Sequence, residues 1–179
     1  MLSEAANSAI RLAASRLPPG RPLSTAAVFA TLPGIDHGAG WERLWLATGE
    51  PAGLRLSEEP DPGTAAPAYW EGVPLTGELA AALRLVEELS EAYGMRPAPV
   101  GLLAVALVAD PGAGAARVLT RPGLAHADLL ELVQSEILGG SLEGLETHRP
   151  AAATPSIEAP ATVPATGPAW ARPGRVRTR

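Results

Sequence analysis

The sequence predicts an all-α protein: two tandem, pseudo-symmetric four-helix repeats forming one compact domain, followed by a disordered C-terminal tail. Three observations predict it. The apolar content is high but carried by Ala, Leu and Val, with aromatics only 4% of residues, which favours helices packed through small side chains. Two stretches of the chain echo each other at a nearly constant offset. After Thr147 the composition collapses to Ala, Pro and Thr without an apolar period.

The echo sets the domain plan. Leu2-Ser3, running to Ala9-Ile10-Arg11-Leu12-Ala13, is matched by Leu75-Thr76, running to Ala82-Leu83-Arg84-Leu85-Val86. Further on, Asp36 to Gly40 with Arg43-Leu44 is matched by Asp110 to Gly114 with Arg117-Val118. A repeat must be read before the fold, because it divides the chain into units that share a core. The units are residues 1–54 and 75–146, separated by 55–74, with the tail spanning 147–179.

Each helix has its own signals. Ser3 and Thr76 are N-cap residues, and Glu4 and Glu78 place an anion in the first turn, where the helix dipole favours it. Ala6, Ala9, Ile10, Ala13 and Leu17 follow helical spacing, as do Leu79, Ala82, Leu83, Val86 and Tyr93, with Glu87, Glu88 and Glu91 on the wet face. Pro18-Pro19-Gly20 and Gly94 with Pro97 end these helices. A second helix starts near Ser24-Thr25 and runs to Leu32. Its counterpart, Pro99 to Val108, is apolar nearly all round and belongs at the core centre. Glycine turns precede a third helix at Trp41 to Leu46 and at Ala115 to Leu119. A last helix carries Asp128 in its first turn and the stripe Leu129, Leu130, Leu132, Val133, Ile137 and Leu138, before Gly139-Gly140. Between the units, Leu54 to Pro74 reads first as a Pro-punctuated linker. The alternative is a short hairpin of Leu54-Arg55-Leu56 with Tyr69-Trp70-Glu71.

Composition excludes several chemistries. There is no cysteine, hence no disulfide, thiolate nucleophile or thiolate metal site. All 14 basic residues are Arg, so no side-chain amine is available for Schiff-base chemistry. A GC-rich coding sequence accounts for the missing Lys and for the Ala, Gly and Pro content. No phosphate-binding loop ending in Gly-Lys-Ser/Thr is present. His37, His126 and His148 are too scattered for a metal site, and Glu58-Glu59 with Asp61 reads as a solvated charge run. Asp36-His37 reads as a turn-capping Asp beside a solvated His rather than a catalytic pair. The expectation is a protein that is not an enzyme and carries no cofactor and no metal.

Charge is uneven: residues 1–148 hold nine Arg against eighteen acidic side chains, whereas 149–179 hold five Arg and one Glu. In that tail, Trp170 followed by Arg172, Arg175, Arg177 and Arg179 has the form of a linear motif, an aromatic anchor amid guanidinium groups. Trp41 and Trp45, four apart on one helical face, read as core anchors, with an exposed patch for a partner the alternative. The N-terminus lacks the uninterrupted apolar run of an export signal, and Val100 to Val108 is too short to span a bilayer. A cytoplasmic protein with no membrane and no specific nucleic-acid partner is the default.

At Leu75 to Gly139 the residues resemble one repeat of the N-terminal domain of Clp-type AAA+ unfoldases. The matching places are Leu75-Thr76, Tyr93-Gly94, Pro99-Val100-Gly101-Leu102-Leu103, Asp110 to Gly114, and Ala115-Ala116-Arg117-Val118-Leu119. Leu2 to about Leu54 resembles the first repeat less closely, through Ser24-Thr25-Ala26-Ala27-Val28. The resemblance implies a binding module that engages a Clp-type ATPase, its adaptors or substrate peptides, or sequesters a hydrophobic peptide-like small molecule. It implies a groove bordered by Leu2, Ser3, Thr25, Leu75 and Thr76. The chain departs from the family where a glutamate of each second-helix start holds a phosphoarginine guanidinium: those positions are Ala26 and Gly101, and Leu2 and Leu75 replace the opening aromatics. The resemblance therefore implies no phosphoarginine recognition by that route. A different reading is a regulatory or structural interaction protein whose body displays the Trp170 and Arg motif.

Overall fold

In a computed structural model, residues 1–49, 65–120, 123–140 and 142 are described. They form seven α-helices and one two-stranded sheet. The molecule is mostly helical, and the expectation of an all-α chain is corrected by the sheet.

Helix α1 (Glu4–Ser15) starts where the Ser3 hydroxyl accepts from the Ala6 amide, and it buries Ala6, Ala9, Ile10 and Ala13. Helix α2 (Thr25–Phe29) is capped by Ser24 in the same way but is only five residues long. It was expected to reach Leu32. It stops early because Pro33 has no N–H to donate to the Phe29 carbonyl, and a separate 3-10 turn, Leu32–Gly34, follows. At the break, the Thr31 hydroxyl lies within hydrogen-bonding distance of the carbonyls of both Val28 (2.7 Å) and Ala9 (2.9 Å). Helix α3 (Gly40–Thr48) is longer than its sequence pattern indicates, and Trp41 and Leu44 face the core.

Residues 65–76 replace the expected linker with a hairpin. Strand β1 (Ala65–Trp70) pairs antiparallel with β2 (Val73–Thr76), with Trp70 opposite Val73 and an irregular register between Ala65 and Tyr69. Glu71 and Gly72 both have positive φ, 47° and 85°, as a tight two-residue hairpin loop requires. The partner of Tyr69-Trp70 is therefore the segment leading into the next helix. Leu54 to Leu56, the alternative partner, and Glu58, Glu59 and Asp61 lie outside the described residues.

Helix α4 (Gly77–Ala92) begins at Thr76, whose side chain accepts from the Leu79 amide, and buries Leu79, Ala80, Ala82, Val86, Leu89 and Ser90. Tyr93, expected on that stripe, falls past the helix end and is partly exposed. Helix α5 (Val100–Val108) has all nine residues buried and sits at the core centre, as its uninterrupted apolar sequence demands. Helix α6 (Gly114–Leu119) and helix α7 (His126–Val133) pack around it, and α7 continues as a π turn, Gln134–Leu138. Gly139 closes that turn in the left-handed conformation, φ 76°.

The two ends of the fold are stitched by two short parallel bridges, Leu2 to Ala98 and Leu23 to Leu75. In the first, the Ser3 amide donates to the Ala98 carbonyl (2.9 Å) and the Ala98 amide to the Met1 carbonyl (3.0 Å). In the second, the Thr76 amide donates to the Leu23 carbonyl (2.9 Å) and the Leu23 amide to the Pro74 carbonyl (2.8 Å). The exchanges are reciprocal: the lead-in to α1 pairs with the lead-in to α5, and the lead-in to α4 with the lead-in to α2.

Candidate functional site

The five groove residues named from the sequence are divided between the two bridges, Leu2 and Ser3 at the first and Leu75 and Thr76 at the second with Thr25 just beyond it, and three of them are buried. Leu75, Thr76 and Thr25 are 3%, 1% and 0% exposed, while Leu2 and Ser3 are half-buried. Each polar side chain already serves a helix start. Ser3 and Thr76 cap α1 and α4, and the Thr25 hydroxyl accepts from the Ala115 amide (3.2 Å) at the first turn of α6. The Glu78 carboxylate accepts from the neighbouring Gly114 amide (3.0 Å), so two side chains from different helices satisfy the exposed donors of α6.

An open depression adjoins only the Ser3 side of this seam. It holds about 400 Å³, and its walls are Ile35, Pro97, Pro99, Val100, Ile137 and Leu138. Ser3 and Asp36 supply its polar side chains, and no basic side chain among the described residues lines it. The Asp36 carboxylate accepts from the Trp41 indole at 3.4 Å, whereas His37 beside it is solvent-exposed. An apolar ligand gains burial here, on the order of 25 cal/mol per Å². A phosphate does not: it would meet Asp36 with no cation to offset the repulsion.

Gly101 lies at the edge of this depression, and sequence reasoning noted only the carboxylate it lacks. A Cβ on Gly101 would stand 2.8 Å from Leu138 Cα and 2.9 Å from the Ile137 carbonyl oxygen. The π turn thus presses directly on the start of α5, and a glutamate has no room there. The same turn presses on α3, where a Cβ on Gly40 would come within 1.9 Å of the Glu136 carbonyl oxygen. Neither close approach has a local sequence signal, since each involves residues far away in the chain. The Ala26 position is equally closed, 1% exposed within the core.

Of two aromatic groupings, one lies in the core and one on the surface. Trp41 is buried and Trp45 half-buried, and both stand edge-on to Phe29 at centroid distances of 5.7 and 6.4 Å, so the pair anchors the core. On the outside, Arg11 makes a two-pronged ion pair with Glu71 (2.7 and 3.1 Å), and its guanidinium lies 5.9 Å from the Trp70 ring centre. This contact holds the hairpin turn against α1. The hydrogen bond from Arg11 draws the Glu71 carboxyl below the ordinary glutamate range, and pairing with Glu71 raises Arg11.

Among the described residues no cluster of His, Asp and Glu is arranged to hold a metal ion, and no helix is long and apolar enough to cross a membrane. Trp170, Arg172, Arg175, Arg177 and Arg179 lie outside the described residues, as do residues 147–179 as a whole. No family model matches the chain, and no curated protein or solved structure matches it.

Proposed function

We propose that the protein is a non-catalytic binding module built from two degenerate repeats of the Clp N-terminal type, and that its ligands are apolar and uncharged. The observation that supports the repeat is the reciprocal bridging. Ser3 and Thr76 stand 73 positions apart, as do Met1 and Pro74, and each pair makes the same backbone exchange with the partner unit's lead-in, Ala98 or Leu23. A pseudo-twofold produces that pattern, because an element of one unit then meets its complement in the other twice. The ligand surface is the depression beside Ser3 and Gly101, whose apolar walls and lone carboxylate favour a hydrophobic peptide or peptide-like molecule.

In this reading the module engages a Clp-type ATPase, its adaptors or its clients without a motor of its own. It neither binds ATP nor separates phosphoarginine from arginine. Chemical-shift mapping of the full chain with uncharged hydrophobic peptides tests the site. Saturable shifts at Ser3, Val100, Gly101 and Ile137 are the expected result. Shifts that avoid these residues and gather at Trp170 and its arginines would instead favour the tail-display reading. Calorimetry with free phosphoarginine is expected to show no saturable heat, and micromolar binding would overturn the proposed selectivity.

A further inference from the structure

A second groove lies away from the bridges, between α4 and the end of α5. It holds about 310 Å³, near the lower edge of ligand-sized pockets at roughly 300–1,000 Å³. Its floor is Ala81, Leu85, Ala106 and Ala109, apolar and small, and its rim carries Glu78, Glu88 and Asp110 beside Arg84, the one basic side chain among the described lining residues. Two of the three carboxylates have structural duties: Glu78 accepts from the Gly114 amide and pairs with Arg117 at 3.5 Å, and Asp110 accepts from the Gly112 amide at 2.8 Å, which leaves Glu88 and Asp110 as the rim charges without a basic partner among the described residues. Each still has free lone pairs, since a carboxylate offers about four acceptor positions. Glu88 is exposed and makes no ion pair among the described residues.

This combination asks for a flat apolar group flanked by guanidinium groups, and the chain contains such a segment. Residues 170–179 carry Trp170 with Arg172, Arg175, Arg177 and Arg179, and no acidic side chain. We infer that this segment docks in the α4–α5 groove of its own molecule, the indole on the alanine floor and the guanidinium groups at Glu88 and Asp110. The tether suffices. The 28 positions from Leu142 to Trp170 extend to at most about 100 Å, well beyond the roughly 30 Å diameter of a small domain. Tethering also raises the local concentration of the segment to about the millimolar range, so individually weak surface pairs add up to a populated contact. The docked segment shields Glu88 and Asp110 at the groove rim and competes there with any basic client. It is independent of the apolar depression beside Ser3.

The absence of native cysteine makes the test clean. A nitroxide attached to an Ala171→Cys variant of the full chain is the only label position, and relaxation enhancement is read on amides across the protein. Docking predicts strong broadening at Ala81, Leu85 and Ala109, lost at high salt and lost in Glu88→Arg. Substituting Arg172, Arg175, Arg177 and Arg179 by Gln is expected to abolish it too, without touching the folded body. Uniform broadening, none at all, or broadening centred on Ser3 and Gly101 would overturn the inference. So would broadening that persists only between labelled and unlabelled molecules in a mixed sample, which would mean docking onto a second copy.

Discussion

Around α2 the core is made of rings: Phe29 meets Trp41 and Trp45 edge-on, and Leu32 and Leu44 close the cluster. Around α5, its counterpart across the bridges, the core is aliphatic, with Leu102, Leu103, Val105, Leu107 and Val108 fully buried. The only phenylalanine and two of the four tryptophans of the whole chain are spent on the first region. The helices differ in length, five residues against nine, so α2 offers fewer side chains and each must fill more volume. Similar interior space is closed by a few large anchors in one place and by many small contacts in the other.

The harshest way to break the comparison is to charge the aliphatic side. Leu103→Asp is expected to remove several kcal/mol, because a buried carboxylate there has no partner, and cooperative thermal unfolding by circular dichroism should vanish. On the aromatic side, Phe29→Ala is expected to cost about 3–5 kcal/mol in denaturant melts. A Leu107→Ala variant should fall lower in its own range, about 2–5 kcal/mol, because a larger fraction of the α2 packing rides on one residue. Equal losses would show that the two regions share the work evenly.

The helix starts sharpen the contrast through opposite signs. Replacing Gly by Ala within a helix ordinarily stabilises by about 1 kcal/mol. Gly101→Ala is expected instead to destabilise by about 1–3 kcal/mol, since its Cβ meets the Leu138 backbone. Gly101→Glu should be worse and should not create phosphoarginine binding, as calorimetry would check. The caps differ more mildly. Thr76→Ala, at a buried site, is expected to cost about 1–2 kcal/mol, and Ser3→Ala, half-exposed, about 0.5–1 kcal/mol.

The smallest effect belongs to the exposed Arg11–Glu71 pair. Its carboxyl titrates lower in the folded protein than in the unfolded chain, so its contribution is complete above the ordinary glutamate range, near about 4.3. That contribution fades as the pH falls through the depressed folded value. Glu71→Gln is therefore expected to lower the melting temperature slightly near neutrality and to leave it unchanged below the depressed folded value, which flattens the acid side of the profile. A loss at neutral pH that persists in high salt would mean that the two-pronged hydrogen bonding, and not charge attraction alone, holds the hairpin turn against α1.

Helix existence was legible because its causes are local. Ser3 and Thr76 announce α1 and α4, and the unbroken apolar run Val100–Val108 identifies the central helix without any knowledge of its neighbours. The hairpin was half legible. The stretch reads first as a linker, with Tyr69-Trp70-Glu71 paired to Leu54–Leu56 as the alternative, and the observed partner Val73–Thr76 is obscured because a Glu-Gly turn is a weaker signal than Asn-Gly or Asp-Gly. The early end of α2 was also written in the sequence, in Pro33, though outweighed by the continuing apolar pattern.

What the sequence determined by itself is the helical class, the capped starts, the buried centre and the absence of thiol and amine chemistry, all consequences of residue type and short-range spacing. Only the tertiary structure decided which surfaces remain open. Leu75 and Thr76 are closed by the bridge to the Leu23 segment, Thr25 by the start of α6, Gly101 by the π turn laid across it, and the acidic groove forms where α4 meets the end of α5. Accessibility is a property of pairs of segments far apart in the chain, and local spacing carries no record of which pairs meet.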